Sequence, residues 1–297
     1  MKLRKQKKLI KSYFKIKDIG GADFIIGIKF QKLKDGYLLH QKRYILDMLE
    51  KYKHETIYPT LILKPSINNK LNKLSINTTK YRSLVGNLLY VAISTRPDIL
   101  YSVSKAAQRS KEPTMEDWMN ALKILGYLKK TMNYGLKFNN KRIINAYSDA
   151  DYAGDKISRR STSGYVITIG GTPVSWCSKL QPCVSTSTAE AEYYSLSECA
   201  KQCLWQLSFL KELNINIKTI NIHVDNKATI FMSENQLINQ KSKHIDIRYH
   251  FIRELILKDK IKLKYVKSMD NVADGFTKYL NRTLMNKFRK NILSTFE

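Results

Sequence analysis

The chain has 297 residues, 43% of them apolar and 10% aromatic, with only six prolines, a balance that fits folded domains and excludes disordered, collagenous and small disulfide-stapled chains. Its 52 Lys and Arg against 25 Asp and Glu leave a net charge of +27, more than solubility requires, which points to a polyanionic partner. No apolar stretch approaches the roughly 20 residues of a membrane span, and the basic start MKLRKQKKLIK lacks an apolar signal core. The four cysteines, Cys177, Cys183, Cys199 and Cys203, form no CxxC pair and fit a reduced, intracellular setting.

The charge is uneven. Residues 1–142 carry 30 basic and 10 acidic side chains, and residues 143–297 carry 22 and 15, so two regions with different duties are expected. In chain order, Leu3 to Phe14 has the spacing of a basic helix. Phe24 to Phe30 and, after the Asp35-Gly36 turn, Tyr37 to His40 alternate as strands, and Lys42 to Lys53 is helical again. Residues 61–80 are polar and poorly periodic, which predicts a linker. From Tyr81 to Met132 the spacing is helical, interrupted at Thr95 to Ile99, and Thr114 with Asp117 three residues on predicts a capped helix start. After Asn139-Asn140 the pattern becomes β-branched and alternating. Ile143 to Ser148, Gly164 to Ile169 and Val174 to Ser178, the last two about Gly170-Gly171, predict an antiparallel meander. A long helix from Thr188 to Leu213, a strand from Ile220 to Val224 and two helices (Lys227 to Glu234, Ile245 to Asp259) follow. A strand from Ile261 to Val266 and a closing helix from Val272 to Lys278 complete the order βββαβααβα. The fold class is therefore α/β, a mixed five-stranded sheet with flanking helices, and residues 280–297 are expected as a basic tail.

Four carboxylates fall where such a sheet would gather them. Asp149 and Asp225 end the first and fourth strands of that set, and open α/β sheets place ligands beyond such strand ends. On neighbouring strands their charges would repel unless a cation lay between them. Glu192 shares a helix face with Leu196, Cys199 and Cys203, whereas Glu190 points about 200° away and fits a capping box with Ser187. Asp274 opens the last short helix, where capping is the plainer role. Oxygen donors without an accompanying His–Cys set favour Mg²⁺, with Mn²⁺ as substitute, over zinc. Two such ions about 3.5–4 Å apart would polarise a phosphodiester and activate water. Beside them, Lys156, Arg159 and Arg160, with the hydroxyls of Ser161, Thr162 and Ser163, are candidates for nucleic-acid contact, against the alternative of a solvated hairpin loop. Trp176 and Trp205 are expected in the core, and Cys199 and Cys203 as small buried hydrophobes.

The run SDADYAGD…SRRSTSGYVITIGGTPVSWCSKLQPCVSTSTAEAEYYSLSE, followed by IHVDNKATI, KHIDIRYHFIRE and NVADGFTK, closely resembles the ribonuclease H domain of copia-type (Pseudoviridae) retrotransposon Pol polyproteins. YRSLVGNLLYVAISTRPDILYSVSK and FKIKDIGGADFIIGIKF resemble the connection and the end of the reverse transcriptase of the same polyproteins. The resemblance implies a ribonuclease H fold at 143–279, a mainly helical connection at 81–142, and an α+β reverse-transcriptase remnant with linker at 1–80. It implies hydrolysis of the RNA strand of RNA–DNA hybrids with two Mg²⁺ ions, and it carries the catalytic and metal-holding roles onto Asp149, Glu192, Asp225 and Asp274. It also implies an RNA–DNA hybrid and other Pol or Gag products as partners, no membrane, and a cytoplasmic, virus-like-particle setting with access to the nucleus.

Two departures qualify the carry-over. The family's Tyr-x-Asp-Asp polymerase hairpin precedes the FKIKDIGG region and is not found here, so polymerase chemistry is expected to lie outside this chain. Many cellular relatives have a His before the last carboxylate, where this chain has Lys267-Ser268-Met269-Asp270; His244 and His250 are the accessory candidates. A catalytically inactive nucleic-acid-binding remnant is the alternative, and a DDE-type transposase on the same fold is weaker because its Asp, Asp, Glu order is not seen.

Overall fold

A computed structural model describes residues 2–17, 20–21, 23–66, 71, 74–234 and 243–296, excluding the side chains of residues 2–4 and 243–246. After helix α1 (Lys2–Tyr13) come β1 (Phe24–Ile25), β2 (Ile28–Leu33), β3 (Gly36–His40) and α2 (Lys42–Lys51). The single strand expected from Phe24 to Phe30 is instead a tight hairpin. Ile26 and Gly27 both take positive φ, 48° and 73°, which turns the chain back on itself so that Ile25 pairs with Ile28.

Helices α3 (Thr78–Ser94), α4 (Leu100–Gln108) and α5 (Met115–Lys130) bury Leu84, Leu88, Trp118 and Leu125 in a common core. α5 begins as its sequence predicts: Thr114 accepts from the Asp117 N–H, and the Asp117 carboxylate accepts from the Thr114 N–H. Between α3 and α4, Arg96 and Asp98 form a fully buried pair, with Tyr127 and Thr131 completing its hydrogen bonds. Such a pair is tolerated in a core because every strong donor and acceptor is matched.

Strand β4 (Tyr134–Asn139) follows the stretch of helical spacing that ends at Met132, inside the connection expected to be mainly helical, and pairs with β3. The expected basic tail is also ordered. Residues Arg282–Ile292 form α9, capped by the Asn281 side chain, and Ser294–Thr295 form β10, paired with β4. The reason is amphipathic: Met285, Phe288 and Ile292, at helical spacing, are buried in the core with the connection helices. The first sheet therefore runs β1-β2-β3-β4-β10 and contains residues from both chain ends.

The second sheet is mixed and five-stranded, ordered β7-β6-β5-β8-β9. It comprises β5 (Ile144–Asp151), β6 (Thr162–Ile169), β7 (Thr172–Leu180), β8 (Ile220–Val224) and β9 (Ile261–Tyr265). The first three form the predicted antiparallel meander, and β5, β8 and β9 are parallel. This is the α/β, ribonuclease H-like sheet with flanking helices that the sequence predicts. The long helix α6 (Thr188–Glu212) covers one face, joining Leu196, Cys199 and Cys203 to Ile144, Ala146 and Ile222. α7 (Lys227–Glu234) and α8 (Lys243–Leu257) follow β8. Toward the other face, Val166, Tyr147 and Trp176 pack with the connection core. No helix among the described residues is long and apolar enough to cross a membrane.

Candidate metal centre beside the central strands

β5 and β8 are parallel neighbours, so Asp149 near the end of β5 and Asp225 just past β8 emerge side by side. The third carboxylate comes from Asp274, in a 3-10 turn (Val272–Phe276) where an α-helix was expected. Asn271 shapes this turn: its side-chain oxygen accepts from the Ala273 N–H while its amide donates to the Ser148 carbonyl, tying the turn to β5. Asp149, Asp225 and Asp274 each offer an oxygen within 4.8 Å of one another. Glu192, buried on α6, flanks this trio within reach of the charges of Asp149 and Asp225.

The electrostatics are those of a buried acidic cluster that one lysine compensates only in part. Burial, then the neighbouring Asp274, pushes the Asp149 carboxyl up to about 7, against a smaller opposing effect of a Thr277 hydrogen bond. Burial, with the charges of Asp149 and Asp225, raises Glu192 well above the ordinary carboxylate range, and burial raises Asp274 as well. Glu192 Oε2 and Asp274 Oδ1 are buried without a hydrogen-bond partner. Orphaned buried oxygens in an all-carboxylate set fit a hard divalent cation, which would satisfy both valence and charge. One protein cation is already present: Lys278 Nζ lies 2.8 Å from Asp274 Oδ2. Burial works against its charge, but Asp274, Asp149 and Asp225 outweigh that and hold the ammonium above its ordinary range.

Asp149 is fixed from two sides. Ser195 of α6 donates to its carbonyl at 2.7 Å, and the Thr277 hydroxyl donates to its carboxylate Oδ2. Thr277, Lys278, Ser195 and Asn271 were not singled out by sequence reasoning. Three of them, Asn271, Thr277 and Lys278, lie in NVADGFTK, where positions three and four beyond Asp274 were the available signal.

Several candidate residues sit elsewhere or do other work. Ser161, Thr162 and Ser163 are buried. Ser161 Oγ accepts from the Ala153 N–H and Ser163 Oγ from the Gln181 amide, while Thr162 Oγ1 is buried without a partner; burial withdraws all three hydroxyls from the surface. Lys156 and Arg159 are exposed, and Arg160 is half-buried with Nε donating to Ser158 Oγ, on a loop held by Asp155. His250 is exposed on α8 and is not among the groups of the acidic trio; the His244 side chain lies outside the described residues. Ser187 Oγ does accept from the Glu190 N–H, but the Glu190 carboxylate reaches past Ser187 to the Thr186 N–H and hydroxyl. Trp176 packs against the core and donates to the Ala92 carbonyl, whereas Trp205, expected in the core, is 54% exposed and stacks on Phe209. On α6, Trp205 lies two positions beyond the buried Cys203, which turns it away from the sheet. Cys199 and Cys203 are fully buried, as predicted.

No family model matches the chain. It is 38% identical over 286 residues to the retrovirus-related Pol polyprotein from transposon RE1 of Arabidopsis thaliana, covering 94% of this chain and 19% of the polyprotein. It is 36% identical over 289 residues to the corresponding polyprotein from transposon TNT 1-94 of Nicotiana tabacum, covering 93% of this chain and 21% of that one. Among solved structures, ribonuclease H1 from Halobacterium salinarum aligns with 45% of this chain and 93% of its own at 18% identity and a TM-score of 0.33. The chain spans about a fifth of the length of these two polyproteins. By its similarity along nearly its whole length, the chain belongs to the retrovirus-related Pol polyproteins of copia-type transposons.

Proposed function

We propose that this Pol segment is a ribonuclease H, hydrolysing the RNA strand of RNA–DNA hybrids during reverse transcription. Asp149, Glu192, Asp225 and Asp274 would hold two divalent cations, Mg²⁺ with Mn²⁺ as substitute. The convergence of three aspartates within 4.8 Å carries the reading, and the orphaned oxygens of Glu192 and Asp274 support it. When bound, such ions polarise the phosphodiester, make a water nucleophilic at neutral pH and stabilise the leaving oxygen. The chain's own groups prepare for this. Ser195 and Thr277 hold Asp149 against the repulsion of its neighbours. Lys278, half-exposed beside Asp274, offers a cation to a substrate phosphate, and the exposed Lys156 and Arg159 offer two more to the backbone. The hybrid is the proposed partner, with other Pol or Gag products of the same element.

Strand selectivity tests this reading. With Mg²⁺, the purified chain is expected to cut the RNA of a doubly labelled hybrid while leaving its DNA strand, duplex DNA and duplex RNA intact. Asp225→Asn is expected to abolish cutting with the circular dichroism of the fold retained. Cleavage of all duplexes alike, or undiminished turnover in the Asn variant, contradicts it.

A further inference from the structure

We propose that Thr277 is a positioning residue of this centre: by donating its hydroxyl to Oδ2 of Asp149 it leaves Oδ1 for a cation and thereby sets metal affinity. The inference rests on the metal-centre reading above and deepens it. Thr277 is fully buried at the end of the 3-10 turn that carries Asp274. Its hydroxyl donates to Asp149 Oδ2 and also lies 3.2 Å from the Asp274 carbonyl. One side chain therefore fixes a carboxylate on β5 and touches the backbone of the turn that brings the second.

The close approach depends on β6. A Cβ on Gly164 would lie 2.7 Å from Thr277 Cγ2 and 2.8 Å from Phe276 Cβ, so only glycine lets the turn settle against the strand at this point. From the opposite side, Ser195 bridges the Asp149 and Gly164 carbonyls, which holds the two strands in register beneath the carboxylate. With its backbone fixed this way, the remaining freedom of Asp149 is rotation of its carboxylate, and the Thr277 hydroxyl restrains that rotation. Groups that orient a metal ligand without touching the metal commonly govern affinity about as strongly as weak ligands do.

A packing role and an orienting role separate cleanly, because Val keeps the shape of Thr and loses its hydroxyl, while Ser keeps the hydroxyl and loses the methyl. Mn²⁺ binding to the full chain, measured by titration calorimetry without nucleic acid and alongside unfolding temperatures, is expected to weaken about 10–100-fold in Thr277→Val and to stay near wild type in Thr277→Ser. Wild-type affinity in the Val variant, or equal weakening in both, overturns the proposal. Asp149→Asn serves as control: undiminished Mn²⁺ binding in it defeats the metal-centre reading itself, which the Thr277 variants alone do not.

Discussion

Asp149 is held in a place that disfavours its charge, and this has a measurable consequence without metal. Its carboxyl titrates near 7 in the fold against an ordinary 3.8, with Glu192 and Asp274 raised in the same direction. Between about pH 4 and pH 7 the unfolded chain has released protons that the folded chain retains, so folding stability falls as pH rises through that window. Metal-free protein is therefore expected to lose about 1–4 kcal/mol of stability from about pH 5 to about pH 7.5. Asp149→Asn should flatten that slope, and Mg²⁺ should restore stability most at the upper end. Denaturant unfolding across pH measures it; a metal-free stability that rises over the window, with a slope unchanged in the Asn variant, would contradict the coupled acidic cluster.

At the scale of elements, α9 buttresses the site. Phe288 is buried edge-to-face against Phe276 at 5.3 Å, with its ring pressed on Gly275, both in the turn that carries Asp274. Phe288→Ala is expected to cost about 3–5 kcal/mol and to weaken Mn²⁺ binding, because the turn loses its backing. Denaturant titration with calorimetry checks both, and intact stability in the variant would mean that α9 is dispensable. The sequence revealed the second sheet well, since β-branched alternation and the Gly170-Gly171 turn are local signals, and α6 announces itself through Ser187 and its buried stripe. It concealed β4 and β10, because short strands draw their stability from partners distant in sequence, here Gly135 with Ser294. α9 was hidden behind its charge: the basic face of Arg282 to Lys290 outweighs three buried apolar positions. The four carboxylates were legible as strand-end and helix-face acids. Thr277 and Ser195 were not, because an ordinary hydroxyl acquires a role only from what the fold sets against it.

Across the whole molecule, the two sheets are joined and not merely consecutive. The Trp176 indole donates to Ala92 of α3, and the Ser104 hydroxyl of α4 to Ser178 of β7, so the connection helices back the sheet that carries the carboxylates. The net charge of +27 is concentrated in the segment preceding that sheet, as expected if the N-terminal part holds a nucleic-acid backbone while the acidic centre cuts it. The most direct measurement is cleavage of an RNA–DNA hybrid labelled on its RNA strand by the purified chain, in Mg²⁺, in EDTA, and with Asp149→Asn in Mg²⁺. RNA fragments that appear only with the unsubstituted chain in Mg²⁺ are predicted. Salt-sensitive binding by a folded chain that leaves the RNA whole in Mg²⁺ would contradict the hydrolytic centre and favour the inactive binding remnant.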